Sequence, residues 1–585
     1  MNYIKSAKKN IIFLQLSSFT DVKYSYFNIG MLSIATLLKN NEYSVDCLKI
    51  DDLAYIDKEQ YFVDSAPEII GLNINSDNIS LVKYFAGYIK KILPQTVILV
   101  GGPLVSILKD SVLDKPEIDF AIIGEGEFPT LQLCNKVIKK EGSYENIEGL
   151  IYRDKNNKVI LNPKPEPIEN LDILPCPDYS LVGTVNSFFY SSGRGCPFSC
   201  SFCFQGVHGK GYRYFSSKRV INDLIETSKK YQTQSIGIID DTFIANPKRT
   251  IEICEGLVNE KLKHNLKFKL WCEGRIDTLY RHPELLPILK KAGLVKIQLG
   301  IENGNQEILD IYNKKITLEQ IEAVVENIAR EKNICANSNI IIGGAFETVK
   351  TFEKSLNFSL KLMNLAKGIF ELSPAFLCPY PGTDVANNPS KYGIKLMDTD
   401  WLKSLSVQLP SCATKSLNAK KLMNLKYTFL ETVDSEMLKI LKELDFETIE
   451  FQMNLAEIHF ETDYYNKILN FAPIIRQYFN LKNDSSRFRL ENAPQNRYYI
   501  KPLCLIKPLC QKGTYVLKGY FKEIYITSDE KKIYDLSNGK LTMLQIAKFI
   551  KPDTDNEIEI HSFIDKIMIP FFKRLEKSYH ILFQF

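Results

Sequence analysis

The amino-acid sequence predicts an α/β protein in which two runs of alternating strands and helices precede a mostly helical C-terminal region. Short, continuously apolar strands recur in residues 1–140 and again in 187–390, with helical patterns between them. Strands that are apolar on both faces are typical of parallel sheets covered by helices. A chain of 585 residues is also too long for one hydrophobic core, so several domains are expected.

Residues 1–140 predict a Rossmann-like domain with a parallel sheet. The predicted strands are Ile11–Leu16, Val45–Ile50, Ile69–Ile74, Val97–Val100 and Phe120–Ile123. Two glycine-bearing turns, Gly101-Gly102-Pro103 and Gly124-Glu125-Gly126, follow the last two strands. Ligands of open parallel sheets bind beyond the carboxyl ends of the strands, and glycine lets backbone approach them closely. A ligand site and ordinary tight turns both fit these glycines, but the spacing is not the GxGxxG of a dinucleotide site.

Residues 141–186 predict a connector, with a hairpin around Asn156-Asn157 and an extended, proline-rich end. Residues 187–390 then predict an open, partial (β/α)6 barrel, because about six strand–helix units fall short of the eight in a closed barrel. The predicted strands are Phe188–Ser191, Ser235–Ile239, Lys267–Trp271, Lys296–Leu299, Ala336–Ile342 and Phe370–Leu377. The predicted helices are Lys218–Tyr231, Pro283–Ala292, Thr317–Lys332 and Phe352–Ala366.

The C-terminal part divides into a helical region, 391–511, and a small module, 512–585. Ser416–Leu444 carries a helical pattern, and the segment EIYITSDEKKIYDLSNGKLTMLQIAKFI predicts a hairpin, an Asn538-Gly539 turn and a short helix. This order of elements indicates a winged-helix-like end.

Composition excludes several classes of protein. The net charge is only +5, which gives no case for a nucleic-acid partner. No apolar run reaches the ~18 residues of a membrane helix, and the N-terminal apolar run is too short for a signal peptide, so we expect a cytoplasmic protein without a membrane partner. The 13 cysteines are an odd number and most are isolated, so a disulfide framework is not expected.

One cysteine group is dense. The stretch SSGRGCPFSCSFCFQG places Cys196, Cys200 and Cys203 in one loop after a predicted strand. Cysteine thiolates are the usual ligands of iron–sulfur clusters, and three ligands would leave one iron open for a substrate or cofactor. A structural zinc site, which wants four ligands and usually two separated pairs, is a competing interpretation with His208 as the nearest fourth ligand. A chance grouping of buried cysteines is another.

The CxxxCxxC spacing after the first strand of a partial barrel resembles the radical S-adenosylmethionine (SAM) enzymes. The resemblance implies a 4Fe–4S cluster on the three cysteines, SAM on the open iron, and reductive cleavage of SAM to a 5′-deoxyadenosyl radical. It also implies an electron donor such as flavodoxin or ferredoxin. Asn303 stands where the family's GxES element has serine, and residues 379–383 resemble its PYPGT element. The residues that the resemblance assigns to SAM are Phe202, Asp240, Asp241, Glu273, Arg275, Gly300 and Glu302.

A Rossmann-like domain before such a barrel resembles the cobalamin-binding subclass. The residues that this resemblance assigns to cobalamin are Asn75, Ser76, Gly101, Gly102, Pro103, Gly124, Glu125 and Gly126. The DxHxxG motif, whose histidine binds cobalt from below, is missing, and none of the six histidines lies in the first domain. We therefore expect that the lower ligand of cobalt is not a protein histidine.

The reaction that the resemblance implies is hydrogen abstraction followed by methyl transfer from methylcobalamin to an unactivated carbon. The winged-helix-like end resembles domains that hold leader peptides, so a ribosomally synthesised natural-product peptide is one expected substrate. A cyclisation or rearrangement of a small-molecule natural product with the same cofactors is an alternative, as is a non-catalytic cobalamin or metal carrier. The small positive charge leaves a nucleic-acid-modifying enzyme as a further option.

Overall fold

The computed structural model of the chain describes most of the two α/β regions and parts of the C-terminal region. The described residues are 8–16, 27–49, 58–75, 78–114, 116–183, 186–204, 211–397, 407–458, 460, 462–471, 499–502, 509–511, 514–518, 523–537, 541–552, 554, 556–576 and 581–584. They form two compact units, one of residues 1–359 and 372–429 and the other of residues 360–371 and 430–585. In the described residues, no helix is long and apolar enough to cross a bilayer.

The first sheet has seven strands. They are β1 (Ile11–Gln15), β2 (Val45–Lys49), β3 (Ile69–Asn73), β4 (Val97–Gly101), β5 (Phe120–Ile122), β6 (Leu150–Arg153) and β7 (Val159–Leu161). Their order is β2-β1-β3-β4-β5-β6-β7, with the first five parallel and the last two antiparallel. The predicted connector hairpin therefore extends the Rossmann-like sheet as β6 and β7.

Helices cover this sheet, and its five parallel strands are mostly buried. The helices are Ile29–Asn40, Lys58–Ser65, Ile79–Ile92, Val105–Leu108 and Glu127–Cys134. One apolar core joins the strands to the helix Ile79–Ile92, and it includes Ile12, Leu14, Ile70, Ile98 and Val100, all 0% exposed. The strand order reverses between β1 and β3, which is where open sheets of this order bind ligands.

The second large sheet has six strands. They are β8 (Ser187–Tyr190), β11 (Ser235–Ile238), β12 (Lys269–Gly274), β13 (Leu294–Glu302), β14 (Cys335–Ile342) and β15 (Phe370–Phe376). Their spatial order follows the chain order, as in a βα barrel, and the sheet does not close. A two-stranded ladder of β9 (Gly193–Arg194) and β10 (Arg213–Tyr214) lies beside it. The predicted α/β fold with an open, partial barrel is confirmed.

Helices follow the barrel strands. They are Ser217–Tyr231, Pro247–Lys263, Ile276–Arg281, Leu285–Ala292, Gln306–Ile311, Leu318–Glu331, Val349–Leu365 and Asp384–Asn387. The four predicted helices agree with four of these to within three residues, but the prediction omits the 17-residue helix Pro247–Lys263. Its start was readable, because Asn246 caps the helix by accepting from the Arg249 N–H and Pro247 occupies the first turn.

The C-terminal region holds helices and small sheets. The helices are Ala419–Leu441, Phe446–Glu457, Asp463–Phe471, Ser528–Leu536, Met543–Ile550, Glu557–Phe563 and Ile569–Glu576. The strands are β16 (Ile394–Leu396), β17 (Cys412–Thr414), β18 (Tyr499–Pro502), β19 (Leu509–Gln511), β20 (Thr514–Lys518), β21 (Glu523–Ile526) and β22 (Ile581–Gln584). The sheet β19-β20-β21 precedes the last four helices, whose apolar residues form a core with Ile524 and Ile526.

One part of the predicted C-terminal hairpin is wrong. β21 does pair antiparallel with β20, but the following residues Ser528–Leu536 form a helix. A capping box at Thr527 and Glu530 starts this helix, and a Lys531–Asp535 ion pair lies one turn apart on it. The predicted Asn538-Gly539 turn lies outside the described residues.

Candidate cluster and cofactor site

The three motif cysteines lie on a loop that leaves the barrel after β9. The described part of the loop ends at residue 204, and the rest of it before β10, with His208, lies outside the described residues. All three cysteines are partly exposed. Their loop is held from the barrel side, where the Ser201 N–H donates to the carbonyl of Tyr312 at 3.0 Å and the Asn313 side chain donates to the Ser199 carbonyl at 3.0 Å.

Arg275, at the end of β12, contacts the same loop directly. Its guanidinium lies 3.6 Å from the centre of the Phe198 ring and donates to Cys200 Sγ at 3.7 Å. Asp277 at 2.9 Å and the Lys314 carbonyl at 2.9 Å hold the other nitrogens of the guanidinium, and Arg275 is only 7% exposed. A fixed cation therefore faces the sulfur of Cys200, an arrangement that favours a negatively charged cluster at this loop.

The donor set fits an iron–sulfur cluster better than a single ion. In the part of the chain that the structure describes, no three His, Cys, Asp or Glu side chains converge as a single metal ion requires. Each thiolate of a cluster binds its own iron, so cluster cysteines need not point at one centre. Three thiolates on one loop with an arginine on Cys200 meet the needs of such a group.

Acidic side chains follow two neighbouring barrel strands beside this loop. Burial raises the pKa of Asp241 to about 6, and burial together with the charges of Asp241 and Asp240 raises that of Glu273 to about 7. Asp240 differs from the other two, because its carboxylate accepts hydrogen bonds from the Ser192 N–H at 2.6 Å and the Ser192 hydroxyl at 2.5 Å. The part of Asp241 and Glu273 in binding the amino group of SAM stays a prediction.

The remaining residues predicted for SAM have protein partners. Glu302 forms an ion pair with Lys314 at 2.7 Å, and Gly300 lies against these two side chains, which a Cβ there would overlap. Phe202 packs edge-on against Tyr312, with ring centres 5.0 Å apart. Their part in SAM binding stays a prediction.

A cavity of about 1000 Å³ lies over the carboxyl ends of β1, β3, β4 and β5 and reaches the cluster loop. This volume is at the upper end of small-molecule sites. The glycine turns form its floor, and Arg194, Gly195 and Phe204 of the cluster loop form part of its wall. The residues of the two predicted turns all line the cavity: Gly101, Gly102, Pro103, Gly124, Glu125 and Gly126.

The glycines of this floor fit a large, flat ligand. A Cβ on Gly101 would meet no atom within 4 Å, so the bare backbone faces open space. Gly102 has φ +108° and its Cβ would lie 2.5 Å from Asn73 Nδ2 and 2.8 Å from the Ile74 carbonyl. Gly124 also has a positive φ, +86°. The turn can therefore present backbone to a ligand only as glycine.

Of the residues predicted for cobalamin, Asn75 is not among the described residues that line the cavity. The side chains of Asn75 and Asn78 each accept a hydrogen bond from the backbone N–H of the other residue at 2.9 Å. Asn73, two residues earlier, lines the cavity instead. Ser76 lies outside the described residues. No histidine is among the described residues that line the cavity. That the lower ligand of cobalt is not a protein histidine stays a prediction.

Sequence reasoning missed the charged wall of the cavity. Glu125 is held by Arg213 at 2.8 Å and Arg194 at 3.1 Å, so this predicted ligand residue already has its charge balanced. Glu127 pairs with Arg194 at 2.5 Å. A signal existed, because GEGE follows a strand and GRG directly precedes Cys196, but opposite charges 67 residues apart cannot be paired from sequence alone.

Comparisons with known proteins agree with this geometry. Residues 190–359 match the radical SAM superfamily and residues 19–133 match the B12 binding domain. An uncharacterized methyltransferase of Pyrococcus horikoshii is 28% identical over 65% of this chain and 82% of its own length. The anaerobic magnesium-protoporphyrin IX monomethyl ester cyclase of Rubrivivax gelatinosus is 28% identical over 49% of this chain, which spans about half (53%) of that relative.

Among solved structures, the radical SAM methyltransferase TsrM of Kitasatospora setae, with cobalamin and a 4Fe–4S cluster bound, shares the fold at a TM-score of 0.56. The match is 17% identical and covers 67% of this chain and 81% of TsrM. The two domain matches fall on the cluster loop and on the glycine-floored cavity, so the chain combines a radical SAM domain with a B12 binding domain, and its cofactors are a 4Fe–4S cluster, SAM and cobalamin.

Proposed function

We propose that this enzyme transfers a methyl group to an unactivated carbon of a natural-product substrate. The observation that carries the proposal is that one cavity has the cobalamin-type glycine floor on one side and the cluster loop on the other. A radical formed at the loop and a methyl donor on the floor would then reach the same substrate atom. The methyltransferase relative, which aligns over most of its own length, supports this reaction class.

The proposal gives each group of residues a role. Cys196, Cys200 and Cys203 hold the cluster, with Arg275 opposite Cys200. Asp241 and Glu273, whose strands end beside the loop, accept hydrogen bonds from the amino group of SAM. When bound, the cluster with SAM supplies a 5′-deoxyadenosyl radical, and cobalamin supplies the methyl group.

The glycine turns and the cavity walls perform the rest of the work. The turns of residues 101–103 and 124–126 would present their backbone to cobalamin, and the walls from both domains would restrict the access of water to it. The protein thus binds, orients and shields groups whose own chemistry is reactive.

The test is mass spectrometry of an anaerobic reaction with reduced, reconstituted enzyme, hydroxocobalamin as the cobalamin source, SAM with a deuterated methyl group, and a candidate substrate. We expect a substrate that gains one labelled methyl, together with 5′-deoxyadenosine and S-adenosylhomocysteine. Turnover to a product without added methyl, accompanied by 5′-deoxyadenosine, would refute methyl transfer and favour a cyclisation or rearrangement, the reaction class of the cyclase relative.

For the substrate class we propose a ribosomally synthesised peptide. Glu273, Gln298 and Asn337 lie side by side on β12, β13 and β14, in one row of the sheet. Along β13 the residues beside Gln298 are fully buried under helices whereas Gln298 is partly exposed, so this row lies on the open face of the barrel. Its polar character suits a substrate with hydrogen-bonding groups better than a hydrocarbon.

The two carboxamides of this row favour an amide in particular. The Asn337 amide nitrogen donates to Gln298 Oε1 at 3.4 Å, while Asn337 Oδ1 is buried without a partner in the described residues. Gln298 keeps its own amide N–H groups. One acceptor and one donor therefore remain, the complement of a peptide bond.

One variant, compared with an exposed control position, tests this substrate class. Asn337→Leu keeps the branched shape of the side chain but replaces its amide oxygen and nitrogen with methyl groups, and we expect peptide binding to become roughly tenfold weaker with SAM cleavage retained. Lys395→Leu, on the small sheet β16–β17, is the control. Equal peptide affinity in the Asn337→Leu variant and the wild type would contradict the peptide-binding role of the row.

A further inference from the structure

The charged residues in the cavity wall form one network that joins the two domains of the first compact unit. Glu125 and Glu127 belong to the turn after β5 and the start of the next helix, whereas Arg194 and Arg213 belong to the ladder β9–β10. Arg194 contacts Glu127 at 2.5 Å and Glu125 at 3.1 Å, and Arg213 contacts Glu125 at 2.8 Å. Two carboxylates thus face two guanidiniums, and the charges balance.

The network has little freedom to rearrange. The four side chains are between 4% and 23% exposed. Glu127 also accepts a hydrogen bond from the Ser33 hydroxyl at 2.9 Å, and Glu125 accepts one from the Ile168 N–H at 2.8 Å. Arg213 donates to the Ile168 carbonyl at 2.6 Å. Charged groups this buried are costly unless their partners are held in place, so removing one partner perturbs the others.

The arginines stand at both ends of the cluster loop. Arg194 is the second residue before Cys196, and Arg213 is its direct partner across the ladder, so the pair closes the base of the loop. The glutamates, in turn, belong to the turn whose glycines form the floor of the cavity. The same ion pairs therefore fix both the cluster loop and the proposed cobalamin floor.

We propose that Glu125, Glu127, Arg194 and Arg213 are positioning residues that set the distance between the cluster and cobalamin. The inference deepens the proposed function and rests on it for the identity of the two groups. It gives Glu125 a role other than direct contact with cobalamin. It also makes the two sites interdependent, since a change in the turn moves the loop through the arginines.

The link itself can be tested on the protein without cofactors by hydrogen–deuterium exchange. In the Glu127→Gln variant we expect the amides of residues 193–194 and 213–214, in the other domain, to exchange on the order of tenfold faster. In the Arg194→Gln variant we expect the same for residues 124–128. In the double variant, the increase in the exchange rate should be smaller than the product of the increases in the two single variants, because both partners of the same ion pair are then absent.

The control is Asp119→Asn, which removes an ion pair with Lys90 at 2.7 Å in the Rossmann-like domain. The side chains of this ion pair are 20% and 29% exposed, against 20% and 19% for Arg213 and Glu125. Asp119 directly precedes β5, at the opposite end of that strand from the turn. Asp119→Asn should leave exchange at 193–194 and 213–214 unchanged. Faster exchange confined to the mutated domain in Glu127→Gln would overturn the proposal.

The consequence for the cofactors has its own measurement. In the reconstituted enzyme, the magnetic coupling between cob(II)alamin and the reduced cluster, measured by EPR, should weaken or broaden in Glu127→Gln and in the milder Arg213→Lys, and not in Asp119→Asn. Unchanged coupling in both variants, with both cofactors bound, would overturn the positioning role. Failure of the wild type to bind cobalamin would refute the proposed function instead, and hydrogen exchange would still decide whether the network links the two domains.

Discussion

The two adjacent glycines at the end of β4 give the most specific test of the cavity floor. Gly102→Ala places a Cβ 2.5 Å from Asn73 Nδ2 and 2.8 Å from a backbone carbonyl, at a φ of +108°. Strain of this kind costs about 1–3 kcal/mol, which corresponds to roughly 2–12 °C in Tm for a domain of 150–250 residues. Gly101→Ala places its Cβ where no atom lies within 4 Å, so the fold should tolerate it.

The two substitutions should therefore separate stability from binding. Gly101→Ala puts a methyl group into the cavity, and overpacking against a bound ring costs about 1–3 kcal/mol, or roughly 5- to 150-fold in affinity. We would measure Tm by scanning fluorimetry and the Kd of hydroxocobalamin by equilibrium dialysis. Gly102→Ala should lower Tm, whereas Gly101→Ala should keep Tm and weaken binding. Wild-type cobalamin affinity in Gly101→Ala would refute the placement of the ligand on this floor.

Three further predictions concern the cluster loop and its surroundings. Cys200→Ala should lose the cluster, measured as bound iron and sulfide. The control Cys176→Ala, which replaces another partly exposed cysteine, should keep it. A full cluster in Cys200→Ala would contradict the ligand assignment. Arg275→Met removes the donor to Cys200 Sγ, so the reduction potential of the cluster, followed by EPR-monitored titration, should become more negative, and an unchanged potential would speak against that contact. Burial raises the pKa of Glu273 to about 7, so its ionised fraction increases from pH 6 to pH 8. The affinity for SAM should therefore rise over that range in the wild type and rise less in the Glu273→Gln variant. Equal pH profiles of SAM affinity in the two proteins would exclude Glu273 from the SAM site.

Much of the fold was readable because apolar strands and helix caps are local signals. All six barrel strands and all five parallel strands of the first sheet were predicted, with ends differing by up to three residues. The misassigned segment Ser528–Leu536 is mostly polar and charged, and only Ile533 and Tyr534 in it are typical of strands. A capping box and an i,i+4 ion pair determine its helical conformation, and the prediction of a hairpin overlooked these local signals.

The site was readable only where it is written along the chain. The loop of Cys196, Cys200 and Cys203 and the glycine turns are contiguous motifs, so their position beside one cavity followed from strand order. The contacts of Arg275 with Cys200 and of Glu125 with Arg213 join segments 75 and 88 residues apart and depend on packing. The partner of Glu302, Lys314, lies 12 residues away, beyond the short helix that follows β13. Sequence therefore indicated Glu302 and Glu125 as ligand residues, whereas the structure shows each of them paired with a basic side chain.

The most direct test of the account is whether the enzyme cleaves SAM at this loop. The measurement is the quantity of 5′-deoxyadenosine formed by anaerobically reconstituted, dithionite-reduced enzyme with SAM and methylcobalamin, compared with the Cys200→Ala variant. The account predicts 5′-deoxyadenosine from the wild type and none above background from the variant. A wild-type enzyme that holds its cluster and binds SAM yet forms no 5′-deoxyadenosine would contradict it and favour a non-catalytic cobalamin or metal carrier.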